Sequence, residues 1–279
     1  VGVGVGVLLG LDGDRLKGFV AERAGEALDR AVAIDGDFST RLWSWTPRVI
    51  ARDVVIANPD WASRPEMATV GEVAVRLRLK PLFAGRLEIE DLRIADADVL
   101  LETNGEQANW QFGPDDDEQE GEREDLPVVR QLLVEGARIG YRAPQLDEPV
   151  DARIDRLEVK TASYEQPVEV RGTGRFKGQD VELHGRLGAF HALRETETPY
   201  PVDLAGQVGG TRLSVDGGIR RPAEDFSIDS QLSIEGQTLA ELHEWLELPL
   251  PDTASYKLAG TLKQQGKTWT LTQAQANLG

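Results

Sequence analysis

The sequence predicts a mainly β protein with a few short helices, and three features predict it. From Glu72 onward, short stretches carry apolar side chains at every second position, the clearest being Val73, Val75, Leu77 and Leu79 alternating with Glu72, Ala74, Arg76 and Arg78. A period of two marks a strand with one face turned to an apolar medium and the other to water. Gly or Asn turns separate these stretches, and glycine is abundant at 29 residues while aromatics make up only 6%, which suits a turn-rich sheet better than a large helical core.

The elements follow in order. Val1 to Leu11 is an uncharged Gly/Val/Leu run that stops at Asp12 and Asp14. It is shorter than the roughly 20 apolar residues that span a bilayer and reads as the end of a cropped transmembrane helix, with a buried first strand of alternating Val and Gly as the alternative. Asp12 or Asp14 caps an amphipathic helix to about Ala31, with Leu16, Phe19, Val20, Ala24, Ala27, Leu28 and Ala31 on one face. Ile34 to Ile56 gives short strands around Trp43, Trp45 and Pro47, and Ala57 to Met67 is a loop carrying Asn58-Pro59-Asp60-Trp61.

The strand 72–79 is broken by Pro81 and Gly85, and Leu87 and Ile89 open the next one. Leu92 and Ile94 have the opposite parity, so a bulge near Glu90 and Asp91 re-aims the chain. Val99 and Leu101 lead to an Asn104-Gly105 turn, whose chemistry predicts a tight hairpin returning through Trp110 and Phe112. Asp115 to Asp125 is an acidic run with almost nothing to bury. It lacks the spaced ligands of a calcium loop.

Beyond Val134 three hairpins share one plan. Val170-Arg171-Gly172 leads to Val181-Glu182-Leu183, Leu204-Ala205-Gly206 to Leu213-Ser214-Val215, and Leu258-Ala259-Gly260 to Trp269-Thr270-Leu271. Between the last two lie Phe226, Ile228, Leu232 and Ile234, then a helix from Thr238 in which Thr238 and Glu241 match a capping box, ended by Pro249 and Pro251. The organisation is therefore 1–11, the end of a membrane helix; 12–112, a helix-plus-sheet module; 113–126, an acidic loop; and 127–279, repeated hairpins.

Composition narrows the function. A formal charge of −17 and the lack of a basic stripe exclude nucleic acid as a partner. Cysteine is absent, so no disulfide, thiolate metal site or thiol nucleophile is available. His184, His191 and His243 have no metal-binding spacing, and neither nucleophile elbow nor Walker loop occurs. Gly172-Thr173-Gly174 begins like a dinucleotide fingerprint, but Lys177 stands at the third glycine and the context is a hairpin. Asp96 and Asp98 form a carboxylate pair that period-two spacing puts on one exposed strand edge. No enzyme, cofactor or metal is indicated.

Several stretches resemble the AsmA family of bacterial envelope proteins, related in fold to TamB and chorein-type bridge proteins. The resemblance rests on Val54-Val55-Ile56-Ala57-Asn58-Pro59-Asp60-Trp61-Ala62-Ser63, Pro65-Glu66-Met67, Pro81-Leu82-Phe83-Ala84-Gly85-Arg86 and Asn109-Trp110. Towards the C-terminus it continues through Leu239 to Leu248, Pro249-Leu250-Pro251-Asp252-Thr253 and Tyr256-Lys257-Leu258-Ala259-Gly260. It implies a strongly twisted antiparallel sheet curled into an elongated apolar groove, with the amphipathic helix at one end. It also implies a single-pass anchor in the inner membrane, a periplasmic body, and phospholipid transport toward the outer membrane in support of outer-membrane biogenesis.

The expected groove wall is Val73, Val75, Leu77, Leu79, Leu87, Ile89, Val181, Leu183, Leu213, Val215, Phe226, Ile228, Leu232, Ile234, Leu258, Leu262 and Leu271, holding phospholipid acyl chains. Periodicity alone leaves open a closed sandwich in which these residues pack on one another. An alternative function is a non-enzymatic envelope tether or assembly factor that engages outer-membrane assembly components and affects protein targeting to that membrane.

Overall fold

The computed structural model describes residues 13–41, 44–82, 88–105, 107–112, 128–144, 146, 149–193, 198–220, 227–242, 250–265 and 268–279. Among them, fifteen strands belong to one sheet whose hydrogen-bonded order starts at β1 and ends at β15, so the sheet is open. The chain forms two compact units, Val1–Ile154 and Asp155–Gly279. The readings of 1–11 and 113–126 fall on residues outside those described. Among the described residues no helix is long and apolar enough to cross a membrane.

The first unit opens with α1 (Gly13–Leu28), three residues shorter than the expected Ala31 boundary. Its contacts are with β1 (Val32–Ile34) and β2 (Phe38–Arg41), where Leu16 and Ile34 are buried. Phe19, expected on the packed face, is 41% exposed with Arg23 over its ring. The sheet of this unit continues with β3 (Arg48–Ala57), β4 (Glu66–Arg78), β5 (Glu88–Glu102), β6 (Val128–Val129) and β7 (Gln131–Arg142), in the order β1-β3-β4-β5-β7. Leu79 falls outside the strand, in the short helix α2 (Leu79–Leu82).

The expected bulge is present: Arg76 pairs with Asp91 but Leu77 with Ile89, leaving Glu90 as the extra residue. The return hairpin is not. Thr103 bridges Ala108 across the Asn104-Gly105 turn, but Trp110 and Phe112 belong to no strand and are 38% and 43% exposed. The chain crosses back, and β6 and β7 run parallel to β5. A parallel neighbour needs a connection of a dozen residues or more, and the stretch between β5 and β6 supplies it.

One device escaped the sequence reading. Asp53 and Asp96 have φ of 49° and 53°, and Gly136 has 68°. The register skips these positions: Arg52 and Val54 pair with Glu72 and Val70, which pair with Ala95 and Ala97, and Ala95 pairs with Glu135, so Asp53, Gly71, Asp96 and Gly136 fall level with one another across β3, β4, β5 and β7. The apolar set changes parity at this line on every strand: 49 and 51 become 54 and 56 on β3, and 92 and 94 become 97 and 99 on β5. A left-handed residue turns the strand locally, so a common kink keeps the apolar side chains on one side without breaking register. Asp is among the few L residues that occupy this region at low cost. Asp96→Gly is therefore expected to fold at least as stably as the parent, and Asp96→Val to lose about 1–3 kcal/mol, read from urea midpoints.

The same geometry corrects the carboxylate pair. Asp96 and Asp98 lie on β5, a strand paired on both sides, with Asp96 at the kink and Asp98 held 2.7 Å from Arg64.

The second unit begins within β8 (Val150–Lys160) and runs through β9 (Pro167–Phe176), β10 (Gln179–Ala189), a 3-10 turn at Phe190–Leu193, β11 (Tyr200–Val208), β12 (Thr211–Arg220), β13 (Ser227–Gly236), β14 (Tyr256–Gln265) and β15 (Thr268–Leu278). From β9 to β15 each strand pairs antiparallel with the next. All three expected hairpins are present. Lys177 and Gly178, both with positive φ, make the two-residue turn between β9 and β10 as a tight hairpin requires.

After β13 the helix is described only as far as Leu242. Thr238 Oγ accepts from the Ala240 amide at 3.2 Å and donates to Asp252 at 2.7 Å, while Glu241 Oε2 is buried without a hydrogen-bond partner among the described residues. Thr238 thus acts as a clasp to Asp252 in place of a reciprocal capping box.

Candidate functional site

Residues directly opposite one another on neighbouring strands share a face, so the register lists that face row by row. In the second unit, one row runs Gly172, Leu183, Gly206, Leu213, Ile234, Leu258, Ala276. The next is Val170, Gly185, Leu204, Val215, Leu232, Gly260, and beyond it Val168, Leu187, Val202, Gly217, Ser230, Leu262, Leu271. Charge is absent from all three rows. The intervening residues form the other face, where Glu182, His184, Arg186, Arg212, Asp216 and Asp229 are exposed. Lys257 pairs there with Glu235 and Lys263 with Asp229, and the Lys257 hydrogen bond holds the Glu235 carboxyl below its ordinary range.

Glycine brings the backbones of neighbouring strands close within this face. A methyl group at Gly206 would overlap the Glu182 carbonyl oxygen, and one at Gly217 would stand 2.5 Å from that of Asp229. Gly is the residue that permits so close an approach. Gly172 and Gly206 flank Leu183 on both sides.

Among the described residues no second sheet lies on this face, and strands pack substantially only on their hydrogen-bonded neighbours. Leu183, Leu204, Leu213, Val215, Leu232, Ile234, Leu258 and Leu262 are accordingly only half-buried, while Val168, Val170 and Val202 are buried. The closed-sandwich alternative is thus not what either unit builds.

One margin of the face is polar. Thr211 and Tyr256 are buried with their hydroxyls 3.1 Å apart, and burial, aided by Glu241 and opposed by the Thr211 hydrogen bond, raises the Tyr256 pKa above 10.0. Folding then favours the neutral phenol, so the native state binds more protons than the unfolded state above that pH, and stability falls. Denaturant titrations between neutral pH and pH 11 are expected to show this loss in the parent and a smaller one in Tyr256→Phe.

In the first unit the corresponding rows are Phe38, Ala51, Val73, Ile94, Val134 and Thr40, Val49, Val75, Leu92, Leu132, with Leu77 opposite Ile89. The expected wall residues Val73, Val75, Leu77 and Ile89 therefore share one face. Val181, Leu183, Leu213, Val215, Leu232, Ile234, Leu258 and Leu262 share the face of the second unit, as does Leu271, which is 51% exposed on the last strand. Ile228 sits on β13 opposite Ile219. Leu87 and Phe226 lie outside the described residues.

Val168, Val170, Val202 and Leu204 belong to the face but were missing from the expected set. The two-residue turn at Lys177-Gly178 was the available signal, because it fixes which β9 residues oppose Val181 and Leu183. Towards chemistry the unit offers little: among the described residues no three His, Cys, Asp or Glu side chains converge. His184 is exposed on the polar face, and His191 lies beside Tyr164 in the 3-10 turn.

The AsmA motifs have a structural explanation in the first unit. Asn109, fully buried, donates through Nδ2 to Asn58 Oδ1 and to the Leu100 carbonyl, each at 2.8 Å, and its Oδ1 accepts from the Glu102 amide at 2.9 Å. Asn58 in turn donates to the Arg64 carbonyl at 2.9 Å, and the buried Glu102 carboxylate accepts from the Ser63 amide at 2.9 Å and lies 3.5 Å from Arg142. Two segments far apart in sequence are thus joined by one buried polar network, Asn58 to Asn109 across 51 residues and Ser63 to Glu102 across 39.

The profile of the AsmA family matches residues 1–187. The chain is 24% identical over 282 residues to the AsmA family protein YhjG of Escherichia coli (strain K12), an alignment that takes in 90% of this chain and 41% of that protein. The chain thus spans about two fifths of the length of that relative. With the family profile covering more than half of its residues, and the motif residues Asn58, Ser63 and Asn109 meeting in one network, the chain belongs to the AsmA family, whose members serve the bacterial envelope.

Proposed function

We propose that this protein shields the acyl chains of phospholipids on the apolar face of its sheet and so conducts them between the inner and outer membranes. The observation that carries the reading is the uncharged rows of the second unit, which no second sheet covers among the described residues. A phospholipid has roughly 30 methylenes at about 0.8 kcal/mol each, so exposing its tails to water costs on the order of 20 kcal/mol. An apolar wall lowers that cost all along the path and requires no reactive group.

The dimensions suit the task. Seven strands at about 4.8 Å spacing give the second unit a wall of roughly 29 Å, against about 15 Å for one leaflet of a bilayer core. In this reading the run Val1–Leu11 belongs to the inner-membrane anchor and the sheet stands in the periplasm. Native mass spectrometry of the protein purified without lipid-stripping detergent is expected to show phospholipid adducts. A clean apo mass after exposure to phospholipid would contradict the proposal.

A further inference from the structure

At one end of the first unit the charge pattern reverses that of the chain. Arg41 on β2 is directly opposite Arg48 on β3, and Arg48 is directly opposite Arg76 on β4. Three like charges thus occupy a single cross-strand row, an arrangement that costs stability, in a chain of net charge −17. Elsewhere on this face cross-strand arginines are answered by carboxylates, as Arg52 is by Glu72 at 3.3 Å and Arg93 by Glu135 at 3.0 Å. Within the row only Arg76 is so answered, by Asp91 at 3.0 Å. Arg41 and Arg48 have no ion-pair partner among the described residues, and both are exposed.

An exposed aromatic residue, Trp45, lies in the connection between the strands that carry them. The Trp45 carbonyl accepts from the Leu79 amide at 3.3 Å and that of Pro47 from the Leu77 amide at 2.9 Å, which pins the β2–β3 connection to the end of β4. Trp45 is 68% exposed, the most exposed of the large apolar side chains named in either unit, and Lys80 is exposed next to Leu79. A shallow hollow of about 250 Å³, lined by Arg48, Arg76, Arg93 and Asp91 among others, lies along the same row.

We propose that this end of the first unit docks on the surface of an anionic phospholipid bilayer, with Arg41 and Arg48 on lipid phosphates and Trp45 at the headgroup level. Charge complementarity selects the partner. Unanswered guanidinium groups take phosphate oxygens bidentately, and Trp prefers the boundary between polar and apolar media. A bilayer offers both at one surface. This contact is separate from the apolar face of the second unit and does not depend on lipid transport.

The test is co-sedimentation of the full chain with phosphatidylcholine vesicles, with or without one part in three of phosphatidylglycerol. Binding to the anionic vesicles is expected to exceed binding to the neutral ones and to weaken as salt is raised. At about fivefold per basic residue near such a surface, Arg41→Ser with Arg48→Ser is expected to lower partitioning roughly thirtyfold. Both side chains are exposed and unpaired, so thermal melting is expected to be unchanged or slightly raised, which separates lost binding from lost folding. Arg138→Ser with Arg175→Ser removes the same charge elsewhere and is expected to retain binding. Equal partitioning onto both vesicle types, unchanged binding of the Arg41/Arg48 variant, or equal loss in the Arg138/Arg175 variant would overturn the proposal.

Discussion

Leu213→Glu combined with Leu232→Glu is expected to leave a folded protein that has lost its bound phospholipid. Both side chains are half-buried on the apolar face, in adjacent rows on β12 and β13. In the absence of lipid the new carboxylates stay hydrated and the hydrogen-bonded ladder is untouched. With lipid present each would have to give up water against an acyl chain, an effective cost of several kcal/mol per ion. Each 1.4 kcal/mol is a factor of ten, so lipid retained per protein is expected to fall by about a hundredfold or more, measured by extraction and mass spectrometry. Ser214→Glu with Ser233→Glu places the same charges on the opposite face of the same two strands and is expected to retain lipid.

Asn109→Ala is expected to produce the largest loss of stability among single substitutions in the first unit. The side chain makes three hydrogen bonds, is fully buried, and leaves behind the Glu102 amide, the Leu100 carbonyl and Asn58 Oδ1. A buried group stripped of its partner costs about 1–3 kcal/mol, so a total of about 3–5 kcal/mol follows once partial hydration of the remaining groups is allowed. Thermal melting followed at Trp61 and Trp110 is expected to shift down by roughly 10 °C. Asn58→Ala leaves the Glu102 amide and Leu100 carbonyl satisfied by Asn109 and is expected to cost about half as much. Equal and small shifts in the two variants would mean the network does not hold this end of the sheet.

Much of the fold was legible because a one-sided strand writes its environment into every second residue. Val73, Val75 and Leu77 could be placed on one face from their spacing, and the opposed parity of Ile89 and Leu92 located the bulge at Glu90. The hairpins were legible for the same reason, with glycines marking the turns and the close approaches. Parallel pairing of β5 with β7 was not legible, because Asn104-Gly105 carries a strong local turn signal that a buried Asn109 network overrides by holding the chain in place after the turn. The kink line was missed because its members are two Asp and two Gly on four strands, and only the register brings them together. Asp96 read as half of a carboxylate pair when its backbone conformation was the point.

The site was legible to the same depth. Leu183, Leu213 and Ile234 followed from alternation, and the register shows them in a single row with Leu258. Val170 and Leu204 were overlooked because each was read as the opening of a repeat and not as an opposing residue. Whether the face was sealed could not come from periodicity, since a sandwich and an open sheet use the same alternation. The arginine row was invisible for a related reason: Arg41, Arg48 and Arg76 are far enough apart in sequence that only strand pairing makes them neighbours.

The most direct test is photocrosslinking in cells from a photoreactive phenylalanine derivative placed in turn at positions 183 and 182. Leu183 lies between Gly172 and Gly206 on the apolar face, and Glu182 is its exposed neighbour on the other. Phospholipid crosslinked from position 183 and not from 182 is the expected result. Lipid captured equally from both positions, or from neither, would contradict a one-sided acyl-chain wall.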